Sequence, residues 1–96
     1  MKKYVIERSM PGVGSLTRDA LHAASTKSNN TLDELGPDIQ WVQSFVTSDK
    51  IYCVYLAANE QLIREHAQRT GLPADSISTV RALIDPTMGS RAAAIA

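Results

Sequence analysis

The sequence predicts an α+β fold whose elements follow the order strand, helix, strand, strand, helix, strand. Apolar residues recur at three- and four-residue spacing in two segments, and four other segments have the composition or alternation of strands. Glycine and proline mark the boundaries between these segments. Because 96 residues suffice for one hydrophobic core but not for two, we expect a single domain over residues 1–87 and a flexible tail over residues 88–96.

The first part of the chain predicts a strand and then a long helix. Residues 4–6 are a short run of strand-forming side chains, and the proline and two glycines within residues 10–15 break the chain. Thr17 suits a helix N-cap, and the apolar spacing that follows predicts an amphipathic helix. Gly36 and Pro37 end this helix, because glycine adopts a left-handed stop and proline cannot continue the helix.

The middle of the chain predicts two adjacent strands. From Ile39 the period changes to two, and the alternation continues to Val46. Residues 47–50 are polar and typical of a turn. Residues 51–56 are apolar on both faces, as expected of a strand inside a sheet.

A second helix and a fourth strand complete the pattern. Asn59 suits the N-cap of a helix over residues 60–70, and Gly71 stops it. Residues 77–84 return to strand character. Two right-handed crossovers give a ferredoxin-like β-α-β-β-α-β domain, with both helices on one face of a four-stranded antiparallel sheet and the first and third strands central.

Alternation also divides the strand side chains between two faces of the sheet. We expect the smaller aliphatic set to pack beneath the helices: Val5, Val42, Val46, Val54, Val80, Ala82 and Ile84. The other face then carries the larger set: Tyr4, Ile6, Arg8, Trp41, Gln43, Phe45, Cys53, Tyr55, Arg81 and Leu83.

No predicted element covers this second face, and several exposed aromatic side chains exceed the apolar patch that a monomer normally tolerates. The sequence therefore predicts a homodimer in which two open faces press together. Such an interface would enclose a pocket for a small-molecule ligand. We expect its lining to contain Tyr4, Arg8, Trp41, Gln43, Tyr55 and Arg81.

Charge and cysteine content exclude several classes of function. Ten basic residues balance ten acidic residues, whereas proteins that bind phosphate backbones usually have a basic excess. RNA-recognition domains share the predicted topology, but the third strand lacks their glycine and basic residues. One cysteine, no signal peptide and no apolar run long enough for a bilayer predict a cytoplasmic protein without nucleic-acid or membrane partners.

Several sequence blocks, which span residues 4 to about 87, resemble a family of small bacterial proteins of unknown function. Its best-described type is a nickel-binding, nickel-responsive protein. The blocks are Val5-Ile6-Glu7-Arg8 with Pro11-Gly12, Trp41-Val42-x-Ser44-Phe45-Val46, Asp49-Lys50-Ile51-Tyr52-Cys53-Val54-Tyr55, Ile63-Arg64-Glu65-His66-Ala67, Gly71-Leu72-Pro73-Ala74-Asp75 and Val80-Arg81-x-Leu83-Ile84-Asp85-Pro86. The resemblance implies a ferredoxin-like homodimer that binds nickel or another divalent transition metal, with no organic cofactor.

Three residues are candidates for metal ligands. His66 faces the sheet by its helical spacing, where it is either a ligand or proton carrier, or a packed histidine hydrogen-bonded to a neighbour. Glu7 is either an oxygen ligand or the partner of an ion pair, including one with His66. Gln43 stands where some nickel-binding relatives have a histidine, and an amide is a poorer ligand for nickel.

Two other residues of the predicted open face, Arg8 and Cys53, have more than one possible role. Arg8 binds either an anion or a carboxylate of the partner subunit through its planar guanidinium, or it forms a structural ion pair. Cys53 lies among apolar neighbours, where packing is the usual role of a free cysteine.

These observations favour a non-catalytic metal-binding or metal-responsive homodimer. The alternative is a small-molecule-binding protein or cofactor-free enzyme with its ligand between the two sheets. No carboxylate pair, triad or nucleophile motif supports catalysis. A third interpretation is an interaction module that recruits a partner by strand addition at a sheet edge.

Overall fold

Four strands and two helices form in the predicted order within residues 1–90, the part of the chain that this computed structural model describes. The strands are β1 (Lys2–Ser9), β2 (Ile39–Val46), β3 (Lys50–Ala57) and β4 (Ser76–Thr79), and the helices are α1 (Arg18–Leu35) and α2 (Glu60–Thr70). The sheet order is β2-β3-β1-β4, and every neighbouring pair is antiparallel. The ferredoxin-like class and the central position of the first and third strands are confirmed. Residues 91–96 of the predicted tail lie outside the described part.

The helices begin and end at the residues that the sequence marks. The side chains of Thr17 and Asn59 each accept a hydrogen bond of 3.1 Å from the backbone N–H three residues later. Gly36 and Gly71 end the two helices with φ values of 90° and 77°, a region that favours glycine. Neither helix of the described part is long and apolar enough to cross a membrane.

The predicted choice of which sheet face packs against the helices is wrong. Tyr4 and Tyr55 are cross-strand partners of β1 and β3, and they are only 3% and 2% exposed in the core beneath the helices. Strand alternation shows which residues share a face but not which face is covered. The covered face is set by the helices, and the buried positions of α1 hold only Ser28 and Thr31. Because these side chains are small, and Leu32 and Leu35 of α1 are only partly buried against the core, large sheet residues fill much of the layer between sheet and helix.

A β-bulge in β2 changes the side of the sheet to which its later residues point. Trp41 pairs with Tyr55, but the next paired residue is Gln43, so Val42 is an extra residue. Beyond the bulge, Ser44 faces the helices with Trp41, and the Trp41 indole N–H donates to the Ser44 hydroxyl at 2.9 Å. Gln43 and the residues that alternate with it therefore point to the open face, opposite to Trp41.

The strand β4 ends at Thr79, whereas the sequence predicts a strand that continues to residue 84. Thr79 pairs with Tyr4, and the next backbone N–H, of Val80, donates to the Lys3 carbonyl at 2.8 Å. Beyond this point β1 has almost no residues left to pair. Residues 81–84 of the predicted strand are exposed, including Leu83 at 66%.

Gly14 lies where a short 3-10 turn (Val13–Ser15) touches the loop between β2 and β3. A Cβ atom there would lie 2.8 Å from both the Ser48 Cα and the Thr47 carbonyl oxygen, which are backbone atoms. We expect Gly14→Ala to lower the free energy of unfolding by ~1–3 kcal/mol, the usual cost of overpacking. Gly89→Ala is the matched control, because a Cβ at Gly89 meets nothing within 4 Å. Equal urea midpoints for the two variants would contradict this prediction.

Candidate functional site

Five polar or titratable side chains lie together between the sheet and the helices. We call this group the buried polar cluster: Arg8, Ser28, Cys53, Tyr55 and His66. Arg8 and His66 both have no exposed surface. Side chains of these types rarely reach such positions unless they are paired or functional, so each one needs a physical explanation.

Arg8 is a buried cation with only neutral partners in the described part of the chain. Its Nε donates to the Cys53 Sγ at 3.4 Å, and its Nη1 donates to the Pro73 carbonyl at 2.7 Å. Its Nη2 is buried without a partner. The ion pairs formed within residues 1–90 all involve other basic side chains. A buried charge without a counter-charge costs several kcal/mol.

His66 is held on α2 with one ring nitrogen paired. Its Nε2 is hydrogen-bonded to the Ser28 hydroxyl at 3.1 Å, while its Nδ1 is buried without a partner in the described part. Its ring packs against that of Tyr55, with centroids 5.4 Å apart and a tilt of 56°. Burial and then the charge of Arg8 lower the pKa of His66. Burial likewise raises the pKa of the Tyr55 phenol, so both rings favour their neutral forms.

A cavity of about 100 Å³ lies beneath α1 beside this cluster. Its walls are mostly aliphatic, and they include Val13, Leu21 and Ile51. Arg8, Ser28, Cys53 and Tyr55 supply polar groups, together with Ser25 and Ser44. Two of its lining residues, Leu16 and Val46, are 45% and 44% exposed, so one side of the cavity reaches the surface. An apolar cavity with a few converging polar groups is the usual form of a small-molecule site.

The structure separates the three residues predicted as metal ligands. Glu7 and Gln43 point to the open face of the sheet, whereas His66 lies beneath the helices on the other face. Glu7 is paired with Lys50 at 3.3 Å, so the expected pair between Glu7 and His66 does not form. No three His, Cys, Asp or Glu side chains within residues 1–90 form a group able to hold a metal. The described residues of one chain therefore do not fit a nickel site, and Arg8 beside His66 would repel a cation.

The ligand pocket predicted between two sheets does not form from its predicted residues. Tyr4, Arg8, Trp41 and Tyr55 face the helices, Gln43 faces the open side, and Arg81 is exposed beyond β4. The inverted choice of face, the bulge and the short β4 account for these differences. Arg8, Trp41 and Tyr55 do share one cavity, but it lies beneath α1.

Ser28 is the residue of the cluster that the sequence did not single out as a site. It lies on the apolar stripe of α1, four residues after Ala24. A polar residue on a stripe that faces the core was the available signal. Cys53 is 4% exposed, which confirms its predicted burial.

The depressed pKa of His66 predicts a pH-dependent stability. As pH falls through about 6.5, the unfolded chain takes up a proton that the folded His66 does not. The free energy of unfolding should therefore fall, by at most ~1.4 kcal/mol per pH unit from this group, until pH passes below the folded pKa. Urea unfolding between pH 5 and 8, roughly the range in which histidine titrates, measures this slope. His66→Gln should lose this component and the exposed His22→Gln should keep it; identical profiles would contradict the assignment.

Comparison with known proteins identifies the family to which this chain belongs. The fold is similar to that in the crystal structure of SCO4226 from Streptomyces coelicolor A3(2), with a TM-score of 0.71. The two share 22% identity, and the similarity covers 85% of this chain and 99% of that one, so it shows the fold alone. No curated protein matches the sequence. Residues 4–80 match the family described as nickel responsive protein SCO4226-like, and the chain therefore belongs to that family.

Proposed function

We propose that this chain is a non-catalytic, metal-responsive protein that works as a homodimer joined through its open sheet face. The observation that carries the proposal is that this face has apolar residues and two of the candidate metal ligands but no covering element within residues 1–90. Membership in a family described as nickel responsive supports the metal response.

The composition of the open face favours a second copy as its cover. Val5, Tyr52 and Val54 occupy its central strands, and Phe45 on β2 is 54% exposed. In a symmetric dimer the same surface patch of each subunit forms the interface, so the open face of one subunit covers the open face of the other. Removal of this apolar surface from water favours association, and the loss of motion on binding offsets part of that gain.

A metal site shared by two chains explains how a nickel-responsive family fits a chain whose residues 1–90 hold no complete ligand group. Glu7 and Gln43 share the open face, and a second copy doubles both. Carboxylate and amide oxygens from two chains, completed by water, can bind a divalent ion, and they bind nickel more weakly than imidazole ligands would. The lysine paired with Glu7 competes with the ion for the carboxylate, which favours a responsive site over a permanently filled one.

Self-association is tested by a charge on the open face. We expect the chain to be dimeric by sedimentation equilibrium. Phe45→Lys should shift it toward monomer by weakening the affinity of the dimer at least about tenfold. Gln68→Lys adds the same charge to an exposed position of α2 and should leave the dimer intact. A monomeric parent chain, or equal masses for the two variants, would overturn the proposed interface.

The metal response is tested by calorimetric titration with Ni²⁺, Zn²⁺ and Co²⁺. We expect a fixed ratio of ion per dimer, and an affinity about tenfold or more weaker in Glu7→Gln because two carboxylates are lost per dimer. Glu60→Gln is the matched control, since Glu60 is also ion-paired at the surface but on α2. Flat titrations of the parent chain would refute the proposal, and a loss confined to His66→Gln would refute the placement on the open face.

A further inference from the structure

The guanidinium of Arg8 is fixed by the protein so that one end remains unused. Two of its nitrogens are hydrogen-bonded to the Pro73 carbonyl and the Cys53 sulfur, and the third, Nη2, has no partner in the described part of the chain. The side chain is fully buried, so bulk water does not solvate that nitrogen. A cation held rigidly with a spare donor pair is preorganised for an anion.

Arg8 also lines the cavity beneath α1, and the volume of that cavity limits the size of the anion. A cavity needs about 10–15 Å³ to hold one water molecule, and an engineered apolar cavity of about 150 Å³ binds benzene. A cavity of about 100 Å³ therefore has room for a small organic molecule. The exposed lining residues Leu16 and Val46 give the cavity a route from solvent that does not require the sheet to open.

We propose that this cavity binds a small organic carboxylate with an apolar body, and that Arg8 binds its carboxylate group. The aliphatic walls formed by Val13, Leu21 and Ile51 would contact the apolar body. Tyr55 also lines the cavity, and its hydroxyl would supply a neutral donor for the second carboxylate oxygen. This inference is independent of the open face and of any metal.

The charge of the lining favours a carboxylate over a phosphate. Arg8 is the one charged side chain among the described residues that line the cavity. A carboxylate carries one negative charge and matches the planar fork of one guanidinium. A phosphate ester would bring a second charge into an apolar space with no cation to compensate it.

Benzoate and hexanoate are suitable probes, with benzamide and hexanamide as neutral counterparts of the same shape. Titration of the protein with each carboxylate, followed by the NMR shifts of its backbone N–H groups, should give one carboxylate bound per chain. The shifts should fall on cavity residues such as Leu21 and Cys53. The amides should bind at least about tenfold more weakly, because they lose the charge-assisted hydrogen bond. Equal affinities for carboxylates and amides would overturn the proposal.

Two variants test the residues. Arg8→Met removes the charge at similar length, and it should abolish the preference for carboxylates while the urea midpoint stays equal or rises, since the buried charge is gone. Arg81→Met is its control, because Arg81 is exposed beyond β4. Ser25→Leu fills the cavity with Arg8 intact and should also abolish binding. Carboxylate binding that survives in Ser25→Leu would refute the site even if Arg8→Met fails to fold.

Discussion

The packing of α1 against the sheet is the contact on which the remaining features of this structure depend. The fully buried positions of α1 carry only Ser28 and Thr31, and its larger residues Leu32 and Leu35 are only partly buried against the core, so the sheet must supply much of the volume of this layer. Protein interiors are filled to nearly crystalline density, and the missing volume must come from the other side. The sheet supplies it with Tyr4 and Tyr55 from the two central strands. Where these side chains and α1 do not fully meet, a cavity remains, and Arg8 reaches it.

This packing makes the two faces of the sheet attract ligands of opposite charge. The covered face holds a buried cation beside a histidine whose pKa is lowered by burial and by that charge. A cation would be repelled there, and an anion attracted. The open face carries a glutamate paired with a lysine, in contact with solvent. Oxygen ligands at an accessible surface suit a divalent ion, so the two candidate sites differ in the sign of charge they accept.

Local signals in the sequence were sufficient for the elements but not for the faces. Caps such as Thr17 and Asn59 act through hydrogen bonds to the adjacent turn, so the helix boundaries were predictable from nearby residues. The covered face depends on how much volume α1 contributes, which is a tertiary property. The bulge at Val42 and the end of β4 depend on the partner strands, and neither has a local sequence signal. The candidate residues Arg8 and His66 were identified correctly as unusual, but their partners Ser28 and Pro73 come from distant segments.

The strand β1 connects the two candidate sites and also separates them. Glu7 and Arg8 are consecutive residues of this strand, and alternation places them on opposite faces. Because β1 is hydrogen-bonded to β3 on one side and to β4 on the other, it cannot shift without breaking both ladders. A ligand that changes only side-chain positions on one face thus has no direct path through the sheet to the other. Binding at the two faces should therefore be energetically separable, and coupling between them would require the whole sheet to move.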